Sequence, residues 1–481
     1  MIFSEYMICA IIPTYNNVKT IEDVVRRTLR YIPVIVVNDG STDGTTEVLD
    51  ACQCMDGKCM VISLSHNYGK GYALKIGFQK ARSLGYSHVV TLDGDGQHFP
   101  EDIPALLHLS RIRPEAIIVG SRGTKHDNMP SQNTFANKFS NFWFAIQTGL
   151  VLPDTQTGFR IYPLHNIHGE HLMTKRYEAE LLVLVLSAWA CVPIISSPIR
   201  VYYPPRDERV SSFRPFKDFL RIFMLNSILC TLSVVYGLPR RYWRTICYAF
   251  CFLFFAIVGN IITFIYRVNP SLHAEKVMHR RIQLGSRIFL SVFPKSKYVV
   301  DETQCKLNRD EPAIYIANHT SYLDIVAFLA LHDRMRLIGR ANVLDNIFYG
   351  NTAQMIGFIP LGTGIEEMLS VIKHWTDKGY SVGIFPEGTR SMYGEPLRFR
   401  LGAFYIAEQL KLPIQPLLLQ GYSVAVPKRP VFAGAAIEMR TTVLPRIRPD
   451  DTSFGLTMSE KARQMRLYYD QLLTMQSLSE E

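Results

Sequence analysis

The first 120 residues alternate between short apolar runs and stretches in which apolar positions recur every three or four residues. Runs at Met7–Pro13, Val34–Asn38, Met60–Leu64, His88–Leu92 and Ala116–Val119 predict buried strands. Thr20–Tyr31, Thr45–Ala51, Gly71–Leu84 and Glu101–Leu109 carry helical spacing between them. Alternation at this pace predicts an α/β domain with a mainly parallel sheet and helices on both faces. Ligands of such sheets bind at the carboxyl ends of the strands. The four unusual loops, "PTYNN", "NDGSTDGT", "SHNYGKG" and "DGDGQH", all follow strands. The pattern changes in the middle of the chain. From Arg200 to Lys297, sixteen Lys/Arg face four Asp/Glu, interleaved with two uncharged stretches, Ile222–Pro239 and Thr245–Tyr266. The second is long enough to cross a bilayer, and the first is borderline. From Glu311 the α/β pattern returns with "AIYIAN", "SVGIFPEG" and "LPIQPLLLQG". Two α/β domains joined by a basic, membrane-seeking connector are expected.

Composition narrows the partners. The 481 residues carry a net charge of +10, which alone fits nucleic acid, a membrane surface or acidic substrates. The basic residues alternate with apolar runs instead of forming a polar patch, so no nucleic-acid partner is expected. Nine cysteines, mostly within apolar runs, read as reduced thiols of a cytosolic protein. "CQCMDGKC" (Cys52, Cys54, Cys59) lacks the paired spacing of a zinc site, and "HGEH" (His168, His171) has no further ligands nearby. No basic region precedes "MICAIIP", so no secretory leader is expected.

"VVTLDGDGQH" ends a strand in two carboxylates one residue apart, Asp93 and Asp95. That arrangement suits a hard divalent cation, which completes its shell with phosphate oxygens and water; two solvated aspartates in a turn are the bland alternative. "IIPTYNN", "VVNDGSTDGT", "HNYGKGYALKIGF" and "LDGDGQHFPED" in this order closely resemble the family 2 glycosyltransferases of the GT-A (Rossmann-like) fold, particularly the dolichyl-phosphate-mannose-synthase branch. The resemblance covers about Tyr6 to Ile222. It implies a nucleotide-sugar substrate, with Pro13, Tyr15 and Asp39 at the nucleoside and Lys70 near the diphosphate or base. It also implies Mg²⁺ or Mn²⁺ on Asp93 and Asp95, with Gln97 beside them. Gly120–Arg122 and Asp154–Pro163 look like acceptor-side segments. Arg160 then meets a phosphate or acceptor head group, or else forms a structural ion pair. Glu178 and Glu180 are candidate general bases, although a phosphate acceptor needs none and a plain helix surface is the bland reading.

"ANHTSYLDI" sets His319 five residues before Asp324. Ser-x-x-Asp is a capping-box-like pattern, so Asp324 reads equally as a helix cap and as the residue that fixes a basic histidine's tautomer. "NHTSYLD", "FPEGTRS" and "LPIQPLLLQG" together resemble the lysophospholipid (glycerol-3-phosphate type) acyltransferase family over about Arg281 to Asp450. The resemblance implies that His319 deprotonates an acceptor hydroxyl, which attacks an acyl thioester carried by CoA or acyl carrier protein, with Asp324 as orienter. Glu387, Gly388 and Arg390 map to acceptor binding, and Pro416 to a structural motif. The sequence departs from the family where Gly362 and Thr363 stand in place of an expected arginine, and Arg340 in place of a common lysine. A glycerol-phosphate acceptor is therefore not expected.

Together these give a GT-A domain over 1–221, a membrane-associated helical connector over 222–280 and an α/β acyltransferase domain over 281–481. The expected protein is a bifunctional enzyme that glycosylates and acylates a lipid or lipid-linked acceptor. The alternative keeps one domain active and makes the other a lipid-binding scaffold. Residues 202–222 resemble the connector of glycosyltransferases found with aryl-polyene or flexirubin-type lipid pathways. Nucleotide sugars and acyl thioesters are cytosolic, so both sites should face the cytosol, which excludes a single crossing. Two crossings would push "RRYWR" outside, against the positive-inside rule. A re-entrant or interfacial hairpin at the cytoplasmic face of the inner membrane is expected, with Arg240, Arg241, Trp243 and Arg244 among headgroups; a helix pair buried in the protein is the alternative.

Overall fold

The computed structural model describes residues 7–53, 57–122, 131–167, 176, 178–202, 215–268, 272–292, 296–362, 364–392, 394–428 and 438–475. Cys54, His168, His171 and Thr363 lie outside them. The chain divides into two compact units, Met1–Arg241 with Leu473–Glu481, and Tyr242–Leu472. The division falls inside the connector.

The first unit opens with β1 (Ile8–Thr14), α1 (Ile21–Leu29), β2 (Val34–Asn38), α2 (Thr45–Gln53), β3 (Cys59–Ser63), α3 (Lys70–Ser83) and β4 (His88–Thr91). It continues with α4 (Ile103–Ile112), β5 (Ile117–Arg122), α5 (Ser131–Thr148), β6 (Arg160–Pro163), α6 (Glu178–Trp189), β7 (Ile194–Ile199) and α7 (Pro215–Leu232). Its sheet runs β3-β2-β1-β4-β6-β5-β7. All pairs are parallel except those of β6, which runs against both β4 and β5. All of "VIVVN" in β2 is buried, as expected for a strand covered on both faces. Cys9, Ile11, Ile35, Val37, Leu74, Phe78, Val89 and the apolar face of α6 form the core. Thr14 pairs with Asn38, so the loops after β1 and β2 leave the sheet side by side, and the turn after β4 joins them.

The second unit contains α9 (Leu272–Val292), β8 (Lys297–Asp301), β9 (Ile314–Ala317), α10 (Leu323–Leu331), β10 (Met335–Arg340), α11 (Gly350–Met355) and β11 (Ile359–Leu361). These are followed by α12 (Ile365–Asp377), β12 (Ser381–Ile384), α13 (Gly402–Gln409), β13 (Ile414–Gln420), α14 (Tyr422–Ala425), β14 (Glu438–Val443) and α15 (Met458–Met475). The sheet order is β11-β10-β12-β9-β13-β14-β8, parallel except between β13 and β14. Pro416 sits in β13 opposite Ile316, and the Tyr469 hydroxyl ties Ile316 and Leu417 from α15. β9 and β12 end beside one another, which brings the loops carrying His319 and Glu387 together.

The connector corrects one expectation. It is not a hairpin: α7 continues through one π turn, Ser233–Gly237, into α8 (Leu238–Val268). Pro239 has no N–H for the preceding turn, and the wider π turn accommodates that loss without breaking the helix. The eight described cysteines are unpaired.

Candidate active sites

In the first unit, Asp39 follows β2 directly, and its carboxylate accepts the N–H groups of Tyr68 and Gly69 at 2.8 and 2.7 Å. Burial raises its pKa, opposed by those two donors. Gly69 takes a φ of +104°, a left-handed conformation that suits glycine, and α3 starts at the next residue. Asp39 thereby fixes the backbone of Lys70. Pro13 and Tyr15 leave the neighbouring strand at the same edge.

Lys70 reaches Asp93 Oδ1 at 2.6 Å and Glu180 Oε2 at 2.9 Å. Burial disfavours its charge, but the two carboxylates outweigh burial and push its pKa up. Asp93 moves down because Lys70 overcomes the cost of its burial. Asp95 moves the other way, up to about 6, through burial and the Asp93 charge beside it. Thr20 holds the turn by donating to Gly94 O at 2.7 Å, and the Gln97 N–H donates to Asp95 Oδ1 at 3.0 Å. Gln97 thus orients Asp95 through its backbone. His98 is buried beside Asp93, and burial lowers its pKa to about 4, which keeps it neutral.

Arg122 grips Asp154 with two side-chain bonds of 2.6 and 3.0 Å, joining the two segments expected on the acceptor side. Arg160 departs from the expected acceptor contact. It is fully buried, and its guanidinium donates to the carbonyls of Thr155, Thr157 and Glu180 and to the Tyr162 hydroxyl. It ties the Thr155–Thr157 loop to the start of α6. Glu178 and Glu180 begin α6, both buried, each with one carboxylate oxygen lacking a hydrogen-bond partner. Sequence reasoning missed the Lys70–Glu180 pair, because 110 residues separate them and no local pattern links them.

Among the described residues no cluster of three or more His, Cys, Asp or Glu is placed to hold a metal. The protein offers two hard carboxylates, one of them made reluctant to ionise by its neighbour. That donor set fits a divalent cation whose remaining ligands come from a diphosphate and water.

In the second unit, His319 Nδ1 lies 2.9 Å from Asp324 Oδ2. The same oxygen accepts the N–H groups of Thr320 at 2.5 Å and Ser321 at 2.7 Å. Asp324 thus contacts both the start of α10 and the His319 ring. The His319 ring stacks on Phe385 with centroids 4.0 Å apart and planes 14° apart. With Nδ1–H on Asp324, Nε2 is left as the basic nitrogen. Arg390 lies over the Tyr322 ring at 3.6 Å, and Gly388, at φ +69°, brings the backbone against Arg400. Arg340 ends β10 exposed, and Gly362 turns at φ +125°.

Glu387 is buried next to His319 and accepts its backbone N–H at 3.1 Å. Burial outweighs its donors and raises its pKa to about 8. A carboxyl with a raised folded-state pKa contributes stability that is complete below its unfolded value and is lost as pH rises through the folded one. The second unit should therefore lose stability between about pH 4.5 and 8. Thermal unfolding of Glu387→Gln across that range should show a flatter pH dependence than wild type; an unchanged slope would contradict the raised pKa.

Comparison with known proteins follows this division. Residues 9–163 match the family described as glycosyl transferase family 2, and residues 299–420 match the family described as acyltransferase. Over 243 residues the chain is 29% identical to the UDP-N-acetylglucosamine–dolichyl-phosphate N-acetylglucosaminyltransferase of Methanococcus voltae, covering 46% of this chain and 97% of that protein. Over 142 residues it is 31% identical to the chloroplastic 1-acyl-sn-glycerol-3-phosphate acyltransferase BAT2 of Brassica napus, covering 29% of this chain and 41% of that protein. The crystal structure of the 1-acyl-sn-glycerophosphate acyltransferase PlsC from Thermotoga maritima aligns at 20% identity and a TM-score of 0.39, over 49% of this chain and 96% of that one.

Proposed function

From a chain that joins a family 2 glycosyltransferase domain to an acyltransferase domain, we propose a bifunctional enzyme of lipid assembly. Its first site moves a sugar from a nucleotide sugar to a lipid-phosphate or lipid-linked acceptor. Its second moves an acyl group from a thioester to an acceptor hydroxyl. One observation supports the reading: each unit brings its candidate residues together, Asp39, Lys70, Asp93 and Asp95 in one and His319 and Asp324 in the other.

At the first site Asp39 would hold the nucleoside end, and Asp93 and Asp95 would hold the divalent cation. When bound, that ion neutralises charge on the departing diphosphate. Lys70 adds positive charge at the same end. The dolichyl-phosphate and glycerophosphate acceptors named for the relatives support a lipid-bound acceptor. At the second site His319 Nε2 takes the hydroxyl proton as the oxygen attacks the thioester carbonyl. The C–O bond forms, the C–S bond breaks, and His319 returns the proton to the leaving thiolate. Asp324 holds the ring in the right tautomer and faces the imidazolium. Fusing the domains keeps the product of one site near the other without dilution.

Membrane association at the cytoplasmic face completes the reading. Leu220–Val268 is helical, long and apolar enough to cross a bilayer. Each half, however, packs along one side on its own unit. In the first unit Asn226 bonds Gln147 at 2.8 Å, and Gly237 is pressed on Trp189. In the second, Phe252 and Phe255 pack on Phe348 and Phe289, and Asn260 donates to Phe348 O at 2.7 Å. The other sides expose Phe223, Met224, Val234 and Val235 in one half and Phe250, Phe254, Ile257, Ile261 and Phe264 in the other. A helix covered by protein on one side and apolar on the other suits the plane of the interface, dipping without crossing. Salt screens surface charge but leaves buried apolar area untouched. High salt should therefore leave the protein on anionic vesicles, whereas Phe250→Glu with Phe254→Glu and Ile261→Glu should release it. Complete release of the wild type by salt would contradict the apolar anchor.

A further inference from the structure

Lys70, Asp93 and Glu180 meet at one largely buried point. The Lys70 side chain is 17% exposed and that of Glu180 is 8% exposed. Its ammonium lies between the carboxylates, at 2.6 and 2.9 Å. The backbone of Lys70 is pinned by Asp39 through the neighbouring Gly69 N–H, so only its side chain has freedom to move. Gly158 closes the other wall. A Cβ there would sit 2.6 Å from Asp93 Oδ2 and 2.8 Å from Lys70 Nζ, so the glycine lets the chain close tightly on this pair. Two carboxylates, Asp93 and Glu180, thus share one ammonium, and Asp95 is left beside them without a contact to it.

We propose that Lys70 is a resident counter-ion that occupies the cation's carboxylate Asp93 in the free protein, and that Glu180 is the group that keeps Lys70 when the cation arrives. The proposal rests on the metal-assisted reading of the first site. Its logic is electrostatic. An unpaired buried carboxylate is costly, and Lys70 removes that cost while the site is empty of substrate. The arriving ion must displace the ammonium from Asp93. Glu180 holds the displaced ammonium within reach of the incoming diphosphate, which then competes for it. The ion alone therefore binds weakly, and it binds tightly together with a nucleoside diphosphate. Glu180 becomes a positioning residue for Lys70 and not the base for an acceptor hydroxyl.

The two carboxylate–ammonium contacts predict changes of opposite sign, which a merely structural role does not. Mn²⁺ binding to the full-length protein without nucleotide, read by its paramagnetic resonance signal and by the rise in thermal midpoint, separates them. Lys70→Met frees Asp93 and should tighten Mn²⁺ by about tenfold or more, the scale of close charge-pair coupling. It should also leave a less stable protein that Mn²⁺ restores. Glu180→Gln leaves the ammonium to Asp93 alone and should weaken Mn²⁺. Weaker or unchanged binding in Lys70→Met, or changes of the same sign in both, would overturn the proposal. Where Lys70→Met does not fold, Glu180→Gln decides alone, and tighter or unchanged binding there overturns it. Asp95→Asn distinguishes the underlying reading. Wild-type Mn²⁺ binding that survives Asp95→Asn, or no binding in any variant, refutes the carboxylate metal site and this proposal with it. Binding lost in Asp95→Asn but unmoved in the other two refutes the counter-ion role alone.

Discussion

His319→Ala is expected to lower acyl transfer by about 10²–10⁴-fold, the usual worth of a positioned general base, while nucleotide-sugar turnover stays at its wild-type level. The side chain contributes one nitrogen to Asp324 and one face to Phe385, at a loop that is otherwise held by the His319 backbone, whose N–H donates to the Glu387 carboxylate and whose carbonyl accepts the Ser391 N–H. Its removal should therefore leave the fold intact. Asp324→Asn sharpens the result. The Asn oxygen can still accept the Thr320 and Ser321 N–H groups, so the start of α10 survives and stability should fall by no more than about 1 kcal/mol. The negative charge facing the imidazolium is lost, and so is the certainty of the tautomer, so acyl transfer should still drop by about 10²-fold or more. A thioester assay and thermal unfolding on the same preparations check both. Near-normal acyl transfer in Asp324→Asn would reduce Asp324 to its capping role.

Asp95→Asn should abolish sugar transfer, by about 10³-fold or more, and leave acyl transfer unchanged. Several kcal/mol of leaving-group stabilisation depend on the ion, and Asp95 is the carboxylate that Lys70 does not already occupy. The amide oxygen can keep the Gln97 N–H bond that shapes the turn, so the loss is one of charge and not of fold. Sugar transfer that continues in excess chelator, or that survives in this variant, would remove the cation from the account.

Much of this could be read from the chain. The period of the apolar runs located β1 to β5 and the helices between them to within a few residues, because buried parallel strands demand unbroken apolar runs. Asp39, Asp93, Asp95 and His319 were visible because each sits just past a strand, in a loop whose glycines and caps are local. The antiparallel β6 was not visible, since "RIYP" pairs with strands far away in sequence and nothing in its four residues sets direction. The same applies to the site's charge balance. Lys70 and Glu180 meet only through the packing of α3 against α6, and Arg160 looks like an anion binder until its three carbonyl partners are seen. The connector misled for a different reason. Topology and the basic "RRYWR" segment argued for a turn there, and only the π turn before Pro239 shows how the helix continues. The two readings of Asp324 could not be separated in sequence, because one oxygen meets both the histidine and the N–H groups at the helix start.

The central claim is that one chain performs two transfers on lipid-bound material, each at its own site. Mass spectrometry of lipid extracts tests it most directly, comparing cells that express the wild type, Asp95→Asn or His319→Ala, with a vector-only control. The account predicts a wild-type-dependent lipid that carries both a sugar and an added acyl chain. Asp95→Asn should lack the sugar-bearing species, and His319→Ala should lack the acyl chain while sugar transfer continues. A product that keeps both groups in either variant, or wild-type lipids identical to those of the control, would contradict it.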